Sequence, residues 1–152
     1  MTLSWTIKPY DELTLTELYA LLQLRVAVFV VEQNCPFQDI DGLDDRAYHL
    51  LGYDEMGTLA AYARLFDAGI SYEQVAIGRV VVAPTHRRFG LGQQLMQQAV
   101  AQCEVLFGAQ AIKIGAQLYL RQFYQGFGFE QCGEEYLEDG IPHIPMLRDA
   151  SL

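Results

Sequence analysis

The chain has 152 residues, 51% of them hydrophobic, and a formal net charge of −9; this fits one folded domain over residues 1–152 and argues against a disordered chain. Ten Lys plus Arg are too few for a basic face on nucleic acid, whereas a negative surface favours a cationic partner. No apolar run reaches the ~20 residues of a membrane span, the start "MTLSWTIKPYDE" lacks a signal-peptide pattern, and Cys35, Cys103 and Cys132 show no metal-ligand spacing, so the expectation is a cytoplasmic protein with no metal and no membrane partner.

In chain order, "SWTIK" alternates like a short strand. Thr14 or Thr16 can cap a helix in which Leu15, Leu18, Tyr19, Leu22, Val26 and Phe29 share helical spacing. "NCPFQDIDGLDD" has no periodicity and reads as a loop. "AYHLLGYD" and "GTLAAYARLF" flank a hairpin turn at Glu55, Met56 and Gly57. "VAIGRVVV" is a strand that Pro84 ends. Leu91, Leu95, Ala99, Cys103 and Leu106 make one helical face, closed by Gly108. "AIKIGAQ" is a buried strand, and "LYLRQFYQGFG" a short helix. "FEQCGEEYLEDG" and "IPHIPML" complete a sheet as late strands around Asp139-Gly140. The order predicts an α/β domain with a mixed sheet.

Arg79, Arg87 and Arg88 make a local basic spot on an acidic chain, while no Lys or Arg occurs from Gln122 to Leu147. The spot lies where "RVVV" hands over to a helix through "RRFGLGQ". A helix N-terminus leaves backbone N–H groups unpaired, and glycine lets an anion approach them. A pyrophosphate is the natural guest. "GLGQQL" lacks the third glycine of the dinucleotide fingerprint, and GxxxxGK[ST] is absent. The alternative is a solvated tight turn.

Arg87-x-x-Gly90-x-Gly92 after "RVVV" and Pro84 resembles the acetyl-CoA signature of the GCN5-related N-acetyltransferases (GNAT). "AQLYLRQFYQGFGF" is similar to their Asn-x-x-Ala-x-x-Phe-Tyr-x-x-x-Gly-Phe segment, matching at Phe123, Tyr124, Gly128 and Phe129, with Gln117 in place of Asn. "LYALLQLRVAVFVVEQNCPFQDIDGLDDRAYHL" and "YLEDGIPHIPM" resemble the ElaA-like branch of that superfamily, so the resemblance covers nearly the whole chain. It implies the GNAT fold: a mixed central sheet of six to seven strands with a parallel, splayed pair, flanked by about four helices. It also implies acetyl-CoA as cosubstrate and a primary amine as acceptor, small molecule or peptide, joined in a ternary complex. A non-catalytic acyl-CoA-binding module, or an acyltransferase using another acyl group or acceptor, are the alternatives. Homodimers are common in such families, so a homodimer is an expectation of the resemblance alone.

The resemblance further implies that Val80, Val81 and Val82 flank the pantetheine arm. Arg87, Arg88, Phe89, Gly90, Leu91, Gly92 and Gln93 would face the phosphates, with Gln117 and Tyr124 completing the cofactor side. Tyr124 is the matching general acid for the departing thiolate; the alternative is that it packs between helix and sheet. "VAIGRVVV" carries no carboxylate, so the base lies elsewhere. Glu32, His49 and His143 are the candidates for it, with Glu32 taken as the catalytic one and a water chain as the alternative to any single base; the same three are placed on the acceptor side. The alternatives are a core histidine, and an ion pair of Glu32 with Arg25 or Arg64. Asp39, Asp41 and Asp44 depart from the calcium-loop pattern and either rim the acceptor site or solvate the loop. The acidic groups favour a cationic amine.

Overall fold

The computed structural model describes residues 1–150. Its eight strands are β1 (Ser4–Pro9), β2 (Tyr48–Tyr53), β3 (Leu59–Phe66), β4 (Val75–Val82), β5 (Ile112–Gln117), β6 (Phe129–Gln131), β7 (Tyr136–Glu138) and β8 (Ile141–Arg148). Three α-helices accompany them: α1 (Leu15–Arg25), α2 (Leu91–Phe107) and α3 (Arg121–Gln125). The sheet runs β1-β2-β3-β4-β5-β8-β6, with β7 also on β8. All neighbours are antiparallel except β4 and β5. The sheet thus has eight strands where six to seven were expected, and three α-helices where about four were. No helix among the described residues is long and apolar enough to cross a membrane.

The extra strand has a local cause. Within a strand, the N–H and C=O of one residue point to the same side. Pro145 accepts from Cys132 N at 2.9 Å on the outer edge of β8, and has no N–H to give back there. The outer ladder breaks opposite it, so the segment expected as one late strand divides into β6 and β7.

α1 starts on a capping box. Thr14 Oγ1 accepts from Glu17 N at 3.0 Å, and Glu17 Oε1 accepts from Thr14 N at 2.9 Å. Beyond Arg25 the helix widens into a π-helical turn, Val26–Glu32, which brings Phe29 to the space between β4 and β5.

The core forms on both faces of the sheet. α2 buries Leu91, Leu95, Met96, Ala99 and Cys103 against Leu50, Ala61, Ala63, Ile112 and Ile114. Leu21, Leu24 and Val28 meet Leu51, Leu59, Tyr62 and Val81 on the other face. Each such buried leucine contributes roughly 1.5–3 kcal/mol. β3 lies between both layers and is buried throughout, which explains its continuous apolar reading and its small alanines.

Candidate active site

β4 and β5 are paired only at Val75 with Ile112 and Ala76 with Lys113. Beyond that point the strands part. The cause is a β-bulge: the β3–β4 register shifts between Tyr62 and Arg64, and Arg79 takes φ +50°. An extra residue in one strand bends it and increases its twist. The gap is a cavity of about 330 Å³, walled by Ile77, Gly78, Arg79 and Val80 on one side and Ile114, Gly115, Gln117 and Tyr124 on the other. Along the parted stretch, strand edges are free to pair with an extended guest. Val80 and Val82 lean toward the α2 core, while Val81 turns to the α1 layer.

Where the guest's anionic end would sit, the β4–α2 loop is exposed from Arg87 to Gly90. Gly90, at φ +72°, caps α2 with no side-chain bond to the helix N–H groups. Arg88 is also left-handed, at φ +73°. The first-turn N–H groups therefore lack a side-chain acceptor and face outward with the positive end of the dipole. This donor set fits a pyrophosphate. Leu91 anchors the turn in the core, and Gly92 and Gln93 follow it. His86 pins the loop from behind: its Nε2 lies 2.8 Å from Asp54 Oδ2, and its Nδ1 2.8 Å from Thr85 Oγ1. The sequence analysis missed that anchor, because its two ends are 32 residues apart.

Tyr124 lies on α3, buried, with its side chain on the cavity wall. Burial pushes its phenol up to about 12, so it holds its proton at neutral pH. Phe123 packs edge-on against Tyr124 and Phe127. Gln117 ends β5 beside it and pairs in register with His143 of β8.

Several expected residues are placed differently. Glu32 is not brought to the cavity. Its two oxygens accept from Arg87 at 2.7 and 2.9 Å, and that bond holds its carboxyl below the usual range. The partner is Arg87, not Arg25 or Arg64. His49 is a core histidine, fully buried. Its Nε2 stands 2.9 Å from the Asp44 carbonyl, which only accepts, so Nε2 carries the hydrogen and Nδ1 receives the Tyr62 hydroxyl at 2.6 Å. Burial pushes its pKa down. It has no free nitrogen for a substrate.

The acidic loop does not merely solvate itself: Asp41 lines the cavity, and the acids Asp39, Asp41 and Asp44 are committed to arginines. Asp39 and Asp44 accept from Arg25 at 2.9 and 2.6 Å. Asp44 and Asp41 accept from Arg64, and Asp39 also accepts from Arg79 at 2.8 Å. Burial alone would raise Asp41, but the Arg64 guanidinium bonded to it holds its carboxyl at about 2. The loop is thereby clamped across the Arg79 bulge.

The far mouth of the cavity is formed by Phe29, Phe37, Glu138, Asp139, Ile141 and His143. Cys35 Sγ donates to the Asp139 carbonyl at 3.2 Å, joining the acidic loop to the β7–β8 turn. Gly115 is a second residue the sequence analysis missed: a Cβ there would come within 2.6 Å of the Tyr136 hydroxyl and 3.2 Å of that of Tyr72. A side chain at Gly115 would push the Tyr136 phenol from its place over β5.

A family model described as an acetyltransferase (GNAT) domain matches residues 19–149. Protein ElaA of Escherichia coli (strain K12) is 47% identical over 149 residues, 97% of each chain. The crystal structure of an acyl-CoA N-acyltransferase from Pseudomonas aeruginosa superposes with a TM-score of 0.92 at 48% identity, over 97% of this chain and 99% of that one. The crystal structure of Escherichia coli ElaA superposes with a TM-score of 0.89 at 46% identity, over 97% of this chain and 100% of that one.

Proposed function

Since the chain belongs to the GNAT acetyltransferase family and is an acyltransferase, we propose that it moves an acetyl group from acetyl-CoA to a primary amine, by direct attack in a ternary complex, with residues 1–152 acting as one domain. The observation that carries this is the splayed β4–β5 gap, with Tyr124 on its wall and the uncapped end of α2 beyond it.

The thioester supplies an activated acyl carbon. The chain's own groups do the rest. Val80, Val81 and Val82 offer the free edge of β4 to the pantetheine amides. The N–H groups of Arg88, Phe89, Gly90, Leu91, Gly92 and Gln93 bind phosphate, Arg88 adds exposed charge, and Gln117 guards the end of the arm. Arg87 contributes its backbone while Glu32 holds its side chain. Glu32 is thereby a positioning residue for the loop and not the base. A backbone N–H at the bulge faces the developing oxyanion.

Tyr124 protonates the departing thiolate. A thiol of ordinary pKa ~8.5 is a weaker base than this phenolate, but the burial that raises the phenol also raises a thiolate placed beside it. Tyr124→Phe removes that proton with little change of shape. Thiol release with acetyl-CoA and an amine library is expected to fall at least about 100-fold, with the acetyl-CoA thermal shift retained. An unchanged rate would remove Tyr124 from the mechanism. The net charge of −9 and the carboxylates at the far mouth support a cationic acceptor; a preference for acidic amines in the same library would contradict it.

A further inference from the structure

His143 Nδ1 lies 2.7 Å from the Ile141 carbonyl oxygen. A carbonyl can only accept, so Nδ1 carries the hydrogen, and the neutral ring presents Nε2 as a lone pair. That lone pair faces Glu138 Oε2 at 3.4 Å, beyond the ~2.7–3.2 Å of an N–H···O bond. With the ring neutral, two acceptors stand opposite each other with no hydrogen between them. Both residues line the cavity that holds Tyr124. Among the described residues, no Lys or Arg pairs with Glu138. Asp41 on the same cavity is taken by Arg64 and Arg79. Tyr136 stacks on the imidazole at 5.7 Å between centroids and fixes its plane.

We propose that His143 Nε2 and Glu138 Oε2 form a two-acceptor clamp that seats the alkylammonium of the acceptor and takes its proton; this rests on the N-acyltransferase reading above. An ammonium has three N–H donors, enough to bridge both atoms and leave one free. One amine N–H bond breaks and an Nε2–H bond forms, which frees the nitrogen lone pair for attack. The imidazolium is then paired with the Glu138 carboxylate and passes its proton to water at the exposed Glu138 side. The clamp selects a primary alkylamine that arrives charged.

Thiol release from acetyl-CoA with primary alkylamines tests this in the wild type, His143→Gln and Glu138→Gln. The other titratable groups bordering this end of the cavity are Tyr136, Asp139, Tyr72, Lys113 and Cys35, all unchanged in these variants. At pH ~7, His143→Gln is expected to lower kcat/KM for the amine at least about 100-fold. The deficit should shrink by about tenfold near pH 9.5, where more amine arrives neutral, with the KM for acetyl-CoA within about twofold throughout. Glu138→Gln should raise the amine KM about tenfold at near-normal kcat. Glu138 is exposed, so that variant carries the test if His143→Gln does not fold. An active wild type with both variants at wild-type kcat/KM overturns the clamp alone. A wild type that binds acetyl-CoA but releases no thiol with any amine overturns both the clamp and the transferase reading.

Discussion

Asp44 accepts from Arg25 at 2.6 Å and from Arg64 at 2.9 Å, inside the protein. Two guanidinium groups therefore depend on one carboxylate. Removing one partner of a buried charge pair is costly because the other stays buried and unpaired. Asp44→Ala is expected to lower the unfolding free energy by about 3–5 kcal/mol, read as a shift of the urea midpoint at constant slope. Asp44→Asn keeps an acceptor and should lose less. A loss under about 1 kcal/mol for Asp44→Ala would mean that solvent already reaches the network. The acidic character of residues 39–45 is plain in the sequence. That these acids serve three arginines is not, because those arginines come from α1, β3 and β4 and converge only in the fold. His49 shows the same limit: its type suggested chemistry, and its neighbours, Tyr62 and the Asp44 carbonyl, make it structural.

The β4–α2 unit was readable almost to the residue. Its signals are local: a β-branched run, Pro84, Gly90, and apolar positions at helical spacing. Gly90 has nothing within 4 Å of where a Cβ would stand, yet it sits at φ +72°. Gly90→Ala thus isolates the conformational term. It is expected to cost about 1–2 kcal/mol of stability and to reduce the thermal shift given by CoA, because relaxation of the turn re-aims the first N–H groups of α2. A full-sized CoA shift in this variant would show that the loop N–H groups do not carry the phosphates. The late strands were less readable. Their division into β6 and β7 follows from which edge of β8 Pro145 faces, and pairing decides that. The π-helical turn after α1 keeps apolar spacing close to that of an α-helix, so periodicity alone does not distinguish them.

Across the molecule, carboxylates hold much of the pH response. Asp41 sits at about 2; Asp44, Glu17, Glu32 and Asp54 are also lowered. A depressed folded pKa contributes stability that is fully present above the unfolded value, ~3.9 for Asp and ~4.3 for Glu. It is lost as pH falls through the folded value. The melting temperature is therefore expected to fall most steeply between about pH 4 and 2, followed by circular dichroism. Added salt at neutral pH should change it little, because the Arg25, Arg64 and Asp44 charges are buried from screening. A melting temperature that is flat down to about pH 2 would contradict the role given to these acids.

The sequence by itself determined the order of elements up to the late strands, the mixed sheet and the glycine turn that opens α2, while Tyr124 was singled out through the spacing of a family motif. Each of these rests on contiguous residues whose periodicity, turn chemistry or motif spacing carries the information. Only the tertiary structure decided which charged groups are committed to one another and which face the cavity. Glu32 went to Arg87 across 55 residues, and Asp39, Asp41 and Asp44 went to arginines. His143 and Glu138 were left facing each other across the β7–β8 hairpin. Partner choice among charges depends on which strands become neighbours, and on the depth at which an unpaired charge costs more than a paired one.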